Sequence, residues 1–167
     1  MNKVEECFQK YRKQFQKEKI DFLLLDKEAI HIDRIAAIMK NINSEYVIPT
    51  DDEVKLRQYY KKLIENAYNF VLVHGTEDIG ILSIYANNFQ SKIAYTSTIG
   101  IVPSYRGGTI APSLVKFALQ FAKEAGMDVY KAEIDKKNTR WLAFLTRYHF
   151  RIESETTNNS YIVSRDL

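Results

Sequence analysis

The run Ile99-Gly-Ile-Val-Pro-Ser-Tyr-Arg-Gly-Gly-Thr-Ile-Ala111 constrains the fold more than any other part of this 167-residue chain. It reads as the end of a strand, a glycine-bearing loop and the first turn of a helix. The opening N–H groups of a helix have no internal partners and sit at the positive end of its dipole. Gly107 and Gly108 carry no Cβ and let a ligand approach the backbone. That combination suits a phosphate or pyrophosphate, while an ordinary strand-to-helix turn uses the same residue types. Pro112 falls in the first helical turn, where its missing N–H is not needed. Two other phosphate-binding designs fit worse. A P-loop needs Lys-Ser/Thr after its glycines, and here Thr109-Ile110 follows. No G-x-G-x-x-G fingerprint is present.

The flanks place this run in a crossover unit. Ile93 to Ile101 is a predicted strand with Ile93, Tyr95, Ile99 and Ile101 on one face. The helix after the loop runs to about Ala125, with Leu114, Phe117, Ala118, Phe121 and Ala122 as its apolar side and Gly126 as its stop. Val129 to Asp135 is the next strand, so strand, loop, helix and strand follow in crossover order. Upstream, Phe70–His74, a turn at Gly75–Asp78 and a strand at Ile79–Ala86 lead into the 93–101 strand as an antiparallel meander. Before these come a short apolar strand at Asp21–Asp26, a helix carrying Ile32, Ile35, Ala36, Met39 and Ile42, and a helix opened by a Thr50/Glu53 capping box. Its buried side is Leu56, Tyr60, Leu63, Ile64 and Ala67. Downstream, a helix at Asn138–His149 precedes strands at Phe150–Glu155 and Tyr161–Ser164.

Residues 1–19 form an amphipathic helix whose stripe of Val4, Cys7, Phe8, Tyr11 and Phe15 requires a cover. The body of the domain or a second subunit could supply it, the second making the helix a dimerisation arm. Residues 20–167 are expected to form a single domain. The predicted class is mixed α/β, α+β-like, with a twisted, mostly antiparallel central sheet flanked by helices.

Composition narrows the partners. A net charge of +3 with no basic run gives no nucleic-acid signature. Cys7 is the only cysteine, and His31, His74 and His149 are scattered, so no metal site is expected. The charged N-terminus is no signal peptide, no apolar run reaches membrane-spanning length, and a cytoplasmic location follows as the expectation.

With these residues in view, the Ile99–Ala111 run resembles the acetyl-CoA motif of the GCN5-related N-acetyltransferases, a strand ending in Val-x-Pro-x-Tyr-Arg before R-x-x-G-x-G/A. Ala132-Glu-Ile134 with Asn138 resembles the family's next strand and the Asn that opens its following helix. The segment to Phe150 resembles that helix and the Gly-Phe after it. Motif-level resemblance spans residues 93 to 155, and the order of elements matches across the rest. The resemblance implies an N-acetyltransferase that moves an acetyl group from acetyl-CoA to a primary amine of a small molecule or protein. It also implies roles by position. Gly100 lies between Ile99 and Ile101, whose main chain would pair with the pantetheine arm. The N–H groups of Arg106, Gly107, Gly108, Thr109, Ile110 and Ala111 would wrap the pyrophosphate. Asn138 would bond the pantetheine region or the loop around it.

Three positions depart from the pattern. Thr109 stands where the loop has Gly, Leu145 where many members have the Tyr that protonates the departing thiolate, and His149 where Gly precedes Phe. Glu133 is the candidate base, and a solvated strand residue is the alternative reading. Thr98 could order a water. Tyr148 is the candidate replacement acid, with packing as its alternative. The Ile101 N–H is a candidate donor to an oxyanion. Tyr85 and Tyr95 could line an acceptor pocket, and Lys136 and Lys137 could reach a terminal phosphate. Leu145 keeps a second function class open, a catalytically silent CoA-binding sensor or assembly module.

Overall fold

Runs rich in Val, Ile, Leu and Tyr, broken by short polar turns, drive strand formation through the middle of the chain. A computed structural model describes residues 1–42 and 51–167. The elements are α1 (Lys3–Gln16), β1 (Ile20–Leu24), α2 (His31–Asn41), α3 (Glu53–Asn66), β2 (Tyr68–His74), β3 (Glu77–Tyr85), β4 (Ile93–Ile101), a 3₁₀ turn (Pro103–Tyr105), α4 (Ile110–Glu124), β5 (Val129–Asp135), α5 (Thr139–Arg147), β6 (Arg151–Glu155) and β7 (Ser160–Asp166). Thr50 of the predicted capping box lies outside the described residues. The structure starts α3 at Glu53, with the Asp52 side chain accepting from the Val54 and Lys55 N–H groups.

The seven strands form one open sheet in the order β1-β2-β3-β4-β5-β7-β6. Every pairing is antiparallel except β4 with β5, which the α4 crossover makes parallel. The turn between β2 and β3 is tighter than the predicted Gly75–Asp78. Gly75 at φ +63 supports a two-residue connection, and β3 already starts at Glu77.

Aromatic side chains fill the core on one face of the sheet. Phe22 and Phe70 of β1 and β2 meet Phe117 of α4 nearly edge-on, at centroid distances of 4.9 and 4.8 Å. Phe8 and Phe15 of α1 join the same cluster, and Gln14 of α1 donates to the Ser113 hydroxyl of α4. The apolar stripe of α1 is thus covered by the chain's own β1 and α4. The opposite face carries α2 and α3. There Asn69 of β2 is buried and donates to the Leu63 carbonyl of α3 while accepting from Ser83. Gly100 sits under the end of α2, where a Cβ would lie 2.6 Å from the Ile42 side chain.

The predicted face of β4 requires correction. Opposite β3, Ser83 pairs with Thr98 and Ile84 with Thr96, which leaves Ser97 as an extra, bulged residue. One inserted residue reverses the alternation beyond it. Tyr95 therefore shares a face with Thr98 and Gly100, while Ile99 and Ile101 lie on the α4 face with Thr96.

Candidate active site

The β4–β5 ladder is short. Its pairs run only from Ile93–Val129 to Thr96–Ala132, although β4 continues to Ile101 and β5 to Asp135. Past the Ser97 bulge the two strands part, and a cleft of about 1020 Å³ opens between them. Val102 N–H bonds to Ile79 on β3, which sets the hydrogen-bonding phase of the strand. By that phase, the N–H and C=O groups of Ile99 and Ile101 point away from β3, into the cleft. The Ile101 carbonyl accepts from Arg106 Nε at 2.8 Å, which folds the loop arginine back onto the strand.

At the open end of the cleft the loop turns into α4. Gly107 holds φ +87, a conformation that only glycine adopts readily, and nothing lies within 4 Å of a Cβ built on Gly107 or Gly108. Among the described residues, the N–H groups from Gly107 to Ala111 find no backbone acceptor in good hydrogen-bond geometry. They form a cradle of donors at a helix N-terminus. Pro112 follows in the first turn with no N–H to satisfy. Thr109 takes φ −90 and ψ −10, so its β-branch meets no strain. Its hydroxyl donates to the Glu18 carboxylate. Tyr105 anchors the loop from behind, its hydroxyl 2.8 Å from His74 Nδ1.

The narrow end of the cleft is lined by hydroxyls and aromatic rings. Tyr59 of α3 reaches over to the Ser97 hydroxyl at 2.5 Å and the Thr98 hydroxyl at 3.3 Å. Glu133 of β5 lines the cleft and accepts from Ser160 and Thr156 of the β6–β7 hairpin region. Burial pushes the Tyr95 phenol up to about 12, and the nearby charge of Glu133 adds to the effect. Tyr85 pairs with Tyr95 across the strands. Only Tyr95 of the two lines the cleft.

The third wall is α5, opened by Asn138, whose side chain accepts from the Trp141 N–H. Trp141, Phe144 and Tyr148 form an aromatic stripe. Trp141 stacks on Phe144 at 4.8 Å, and Tyr148 lies 5.1 Å beyond. All three line the cleft with Arg140 and Arg147. Leu145 does not, and faces a smaller cavity behind α5. His149 takes φ +66 where the family pattern has Gly. It closes α5 as a helix stop in which His149 N–H bonds to Thr146 and Phe150 N–H to Leu145.

The structure brings Ile99, Gly100, Ile101, Arg106, Gly107, Gly108, Ala111, Glu133, Asn138 and Tyr148 to one cleft. Thr109 and Ile110 stand at its rim in the cradle. Lys136 is committed elsewhere, 2.7 Å from Glu155 and over the Tyr161 ring. The sequence reading missed Tyr59, Ser97, Arg140 and Arg147. The aromatic stripe of α5 was visible as i, i+3, i+7 spacing, whereas nothing local connects Tyr59 to β4. Among the described residues no group of three His, Cys, Asp or Glu is arranged to hold a metal, and no helix is long and apolar enough to cross a membrane.

The pattern of the acetyltransferase (GNAT) family matches residues 35–150. No curated protein matches the chain. Solved structures share the fold at low identity. Arabidopsis thaliana Naa50, in complex with a bisubstrate analogue CoA-Ac-MVNAL, is 15% identical with a TM-score of 0.70, over 89% of this chain and 99% of that one. The PaiA N-acetyltransferase from Thermoplasma acidophilum, in complex with coenzyme A, is 12% identical with a TM-score of 0.68, over 89% and 99%. Spermidine N-acetyltransferase from Vibrio cholerae, in complex with CoA and spermine, is 18% identical with a TM-score of 0.67, over 89% and 96%.

Proposed function

Because the chain belongs to the acetyltransferase (GNAT) family, we propose that it moves an acetyl group from acetyl-CoA directly to a primary amine of a small molecule or protein. The observation that carries this reading is the parting of β4 and β5 beside a donor cradle. The residues fit the coenzyme. Gly107 to Ala111 offer N–H groups that have no backbone acceptor among the described residues, and the two glycines leave the approach clear. The Ile99 and Ile101 main chain would hold the pantetheine arm as an added strand, with Asn138 on its far side.

Bound there, acetyl-CoA supplies an activated thioester. The Ile99 N–H faces the cleft where the arm ends and offers a donor to charge developing on the carbonyl oxygen. The Ile101 N–H, the donor expected from the sequence, lies back along the arm towards the cradle. Glu133, held by Ser160 and Thr156, takes the proton of the acceptor ammonium directly or through a water ordered by Thr98. Tyr148 returns a proton to the departing thiolate. Holding both substrates in one cleft supplies much of the remaining acceleration.

Leu145 favours a second reading, a silent CoA-binding sensor or assembly module, because no phenol occupies that position. Incubation with acetyl-CoA and a panel of polyamines, small amines and peptides separates the two. Release of free CoA with an acetylated product supports the enzyme. Tight binding with no turnover across the panel supports the module, and no binding at all sinks both.

A further inference from the structure

Behind the cleft, where β4 and β5 part, lies a second cavity of about 20 Å³. Thr96, Ile99, Ala132 and Trp141 line both spaces, so the cavity adjoins the cleft at its narrow end. Its remaining wall is mainly apolar and includes Leu119 of α4 and Leu145 of α5. Two polar side chains reach it, Thr96 and Tyr130, and their hydroxyls hydrogen-bond each other. A water there would find few partners, whereas an apolar group would lose nothing on entering.

The size is informative. A water needs about 10–15 Å³ of such volume, so the niche takes roughly one carbon. Its place is informative too. An arm anchored at Gly107–Ala111 and paired along Ile101 and then Ile99 ends beside Thr96 and Ala132, at the mouth of the niche. Leu145 leaves this space where the resembled pattern would put the larger Tyr.

We propose that the niche is an acyl subsite sized for a three-carbon group, so that the protein takes propionyl-CoA at least as readily as acetyl-CoA. The inference rests on the reading of the cleft as a coenzyme A site. The chemistry is unchanged. The propionyl carbonyl carbon bonds to the amine nitrogen as its C–S bond breaks, the amine gives up one proton and the thiolate takes one up. Burial of one further methylene tightens binding about fourfold. A six-carbon chain would have to displace Leu119 or Leu145, and packed cores resist that.

Titration calorimetry on the full chain, without acceptor, tests this with CoA, acetyl-CoA, propionyl-CoA and hexanoyl-CoA. Propionyl-CoA is expected to bind about three- to fourfold tighter than acetyl-CoA, and hexanoyl-CoA more weakly than propionyl-CoA. Leu145→Phe fills the niche and is expected to erase the propionyl advantage. Leu119→Ala, at a half-buried position that tolerates truncation better, widens the niche and is expected to improve hexanoyl-CoA relative to propionyl-CoA. The proposal is overturned by CoA binding in which propionyl-CoA is no tighter than acetyl-CoA. An acyl preference that Leu145→Phe leaves unchanged also overturns it. If none of the four ligands binds, the cleft itself is not a coenzyme site and both readings fall together.

Discussion

The Thr109 hydroxyl donates to the Glu18 carboxylate, 3.0 Å from one oxygen and 3.1 Å from the other, and ties the turn after α1 to the first turn of α4. A full negative charge therefore stands beside the donor cradle, where it opposes an incoming pyrophosphate. Glu18→Gln keeps an acceptor for Thr109 and removes the charge. Coenzyme A is expected to bind about two- to fivefold tighter at low salt, with the difference shrinking at high salt because exposed charges are screened. Calorimetry at two ionic strengths checks this, and weaker binding by the variant would contradict it.

Gly107 holds φ +87 with open space around its Cβ position, so substitution there acts through the backbone rather than through a clash. A β-branched residue at this φ is strained by about 1–3 kcal/mol and would re-aim the cradle. Gly107→Val is expected to abolish measurable acetyl-CoA binding while circular dichroism still reports a folded chain. Normal affinity in that variant would remove the phosphate-loop assignment.

Tyr59 pins the β4 bulge from α3, through Ser97 and Thr98. The bulge sets the phase in which Ile99 and Ile101 face the cleft. Tyr59→Phe removes the hydroxyl, at a stability loss of about 1 kcal/mol. Acetyl transfer is expected to fall about five- to tenfold in kcat, since small misplacements are amplified in rate. The coenzyme dissociation constant should change far less, and an equal change in both would argue against a positioning role.

His149 sits at φ +66, where a side chain is disfavoured and glycine is not. His149→Gly relieves that strain but adds freedom to the unfolded chain. The net expectation is a gain of about 0.5–1 kcal/mol, or a Tm higher by about 1–4 °C for a chain of this size. A thermal melt that shows a lower Tm would indicate an unrecognised contact made by the imidazole.

Burial pushes the Cys7 thiol from 9.0 up to about 11, with Glu124 adding to it, and the Tyr95 phenol from 10.0 up to about 12. Both values are raised in the fold, so the folded state favours the protonated forms. Their stabilisation is complete below about pH 9 and is lost as pH rises through 12. Denaturant midpoints measured from pH 8 to 12 should fall above pH 9. Cys7→Ala should move the onset towards pH 10, and a flat midpoint through pH 12 would contradict the assignment.

Much of the fold was legible locally because it rests on local rules. Ile93–Ile101 and Val129–Asp135 alternate and end at turn residues, and their predicted bounds match the strands. Gly126 stops α4 at φ +90, as its position after an apolar helix implied. Other features were visible only as departures. His149 looked like the loss of a glycine, and the structure keeps the left-handed backbone without one. The bulge at Ser97 was not legible, because it is defined by the pairing of β4 with β3 rather than by residue type.

The sequence alone determined the strand, loop and helix around Gly107, and with them the glycine-bearing helix start that opens α4. Those follow from backbone freedom, helix polarity and hydrophobic period, which act within a few residues. Only the tertiary structure decided what meets the cradle. It parted β4 from β5 beyond Thr96 and Ala132, brought Tyr59 onto Ser97 and placed Glu18 against Thr109. It also packed α1 onto the chain's own β1 and α4, where the sequence allowed a second subunit. These contacts join residues far apart in the chain, and strand register and helix packing, which no local pattern encodes, set their geometry.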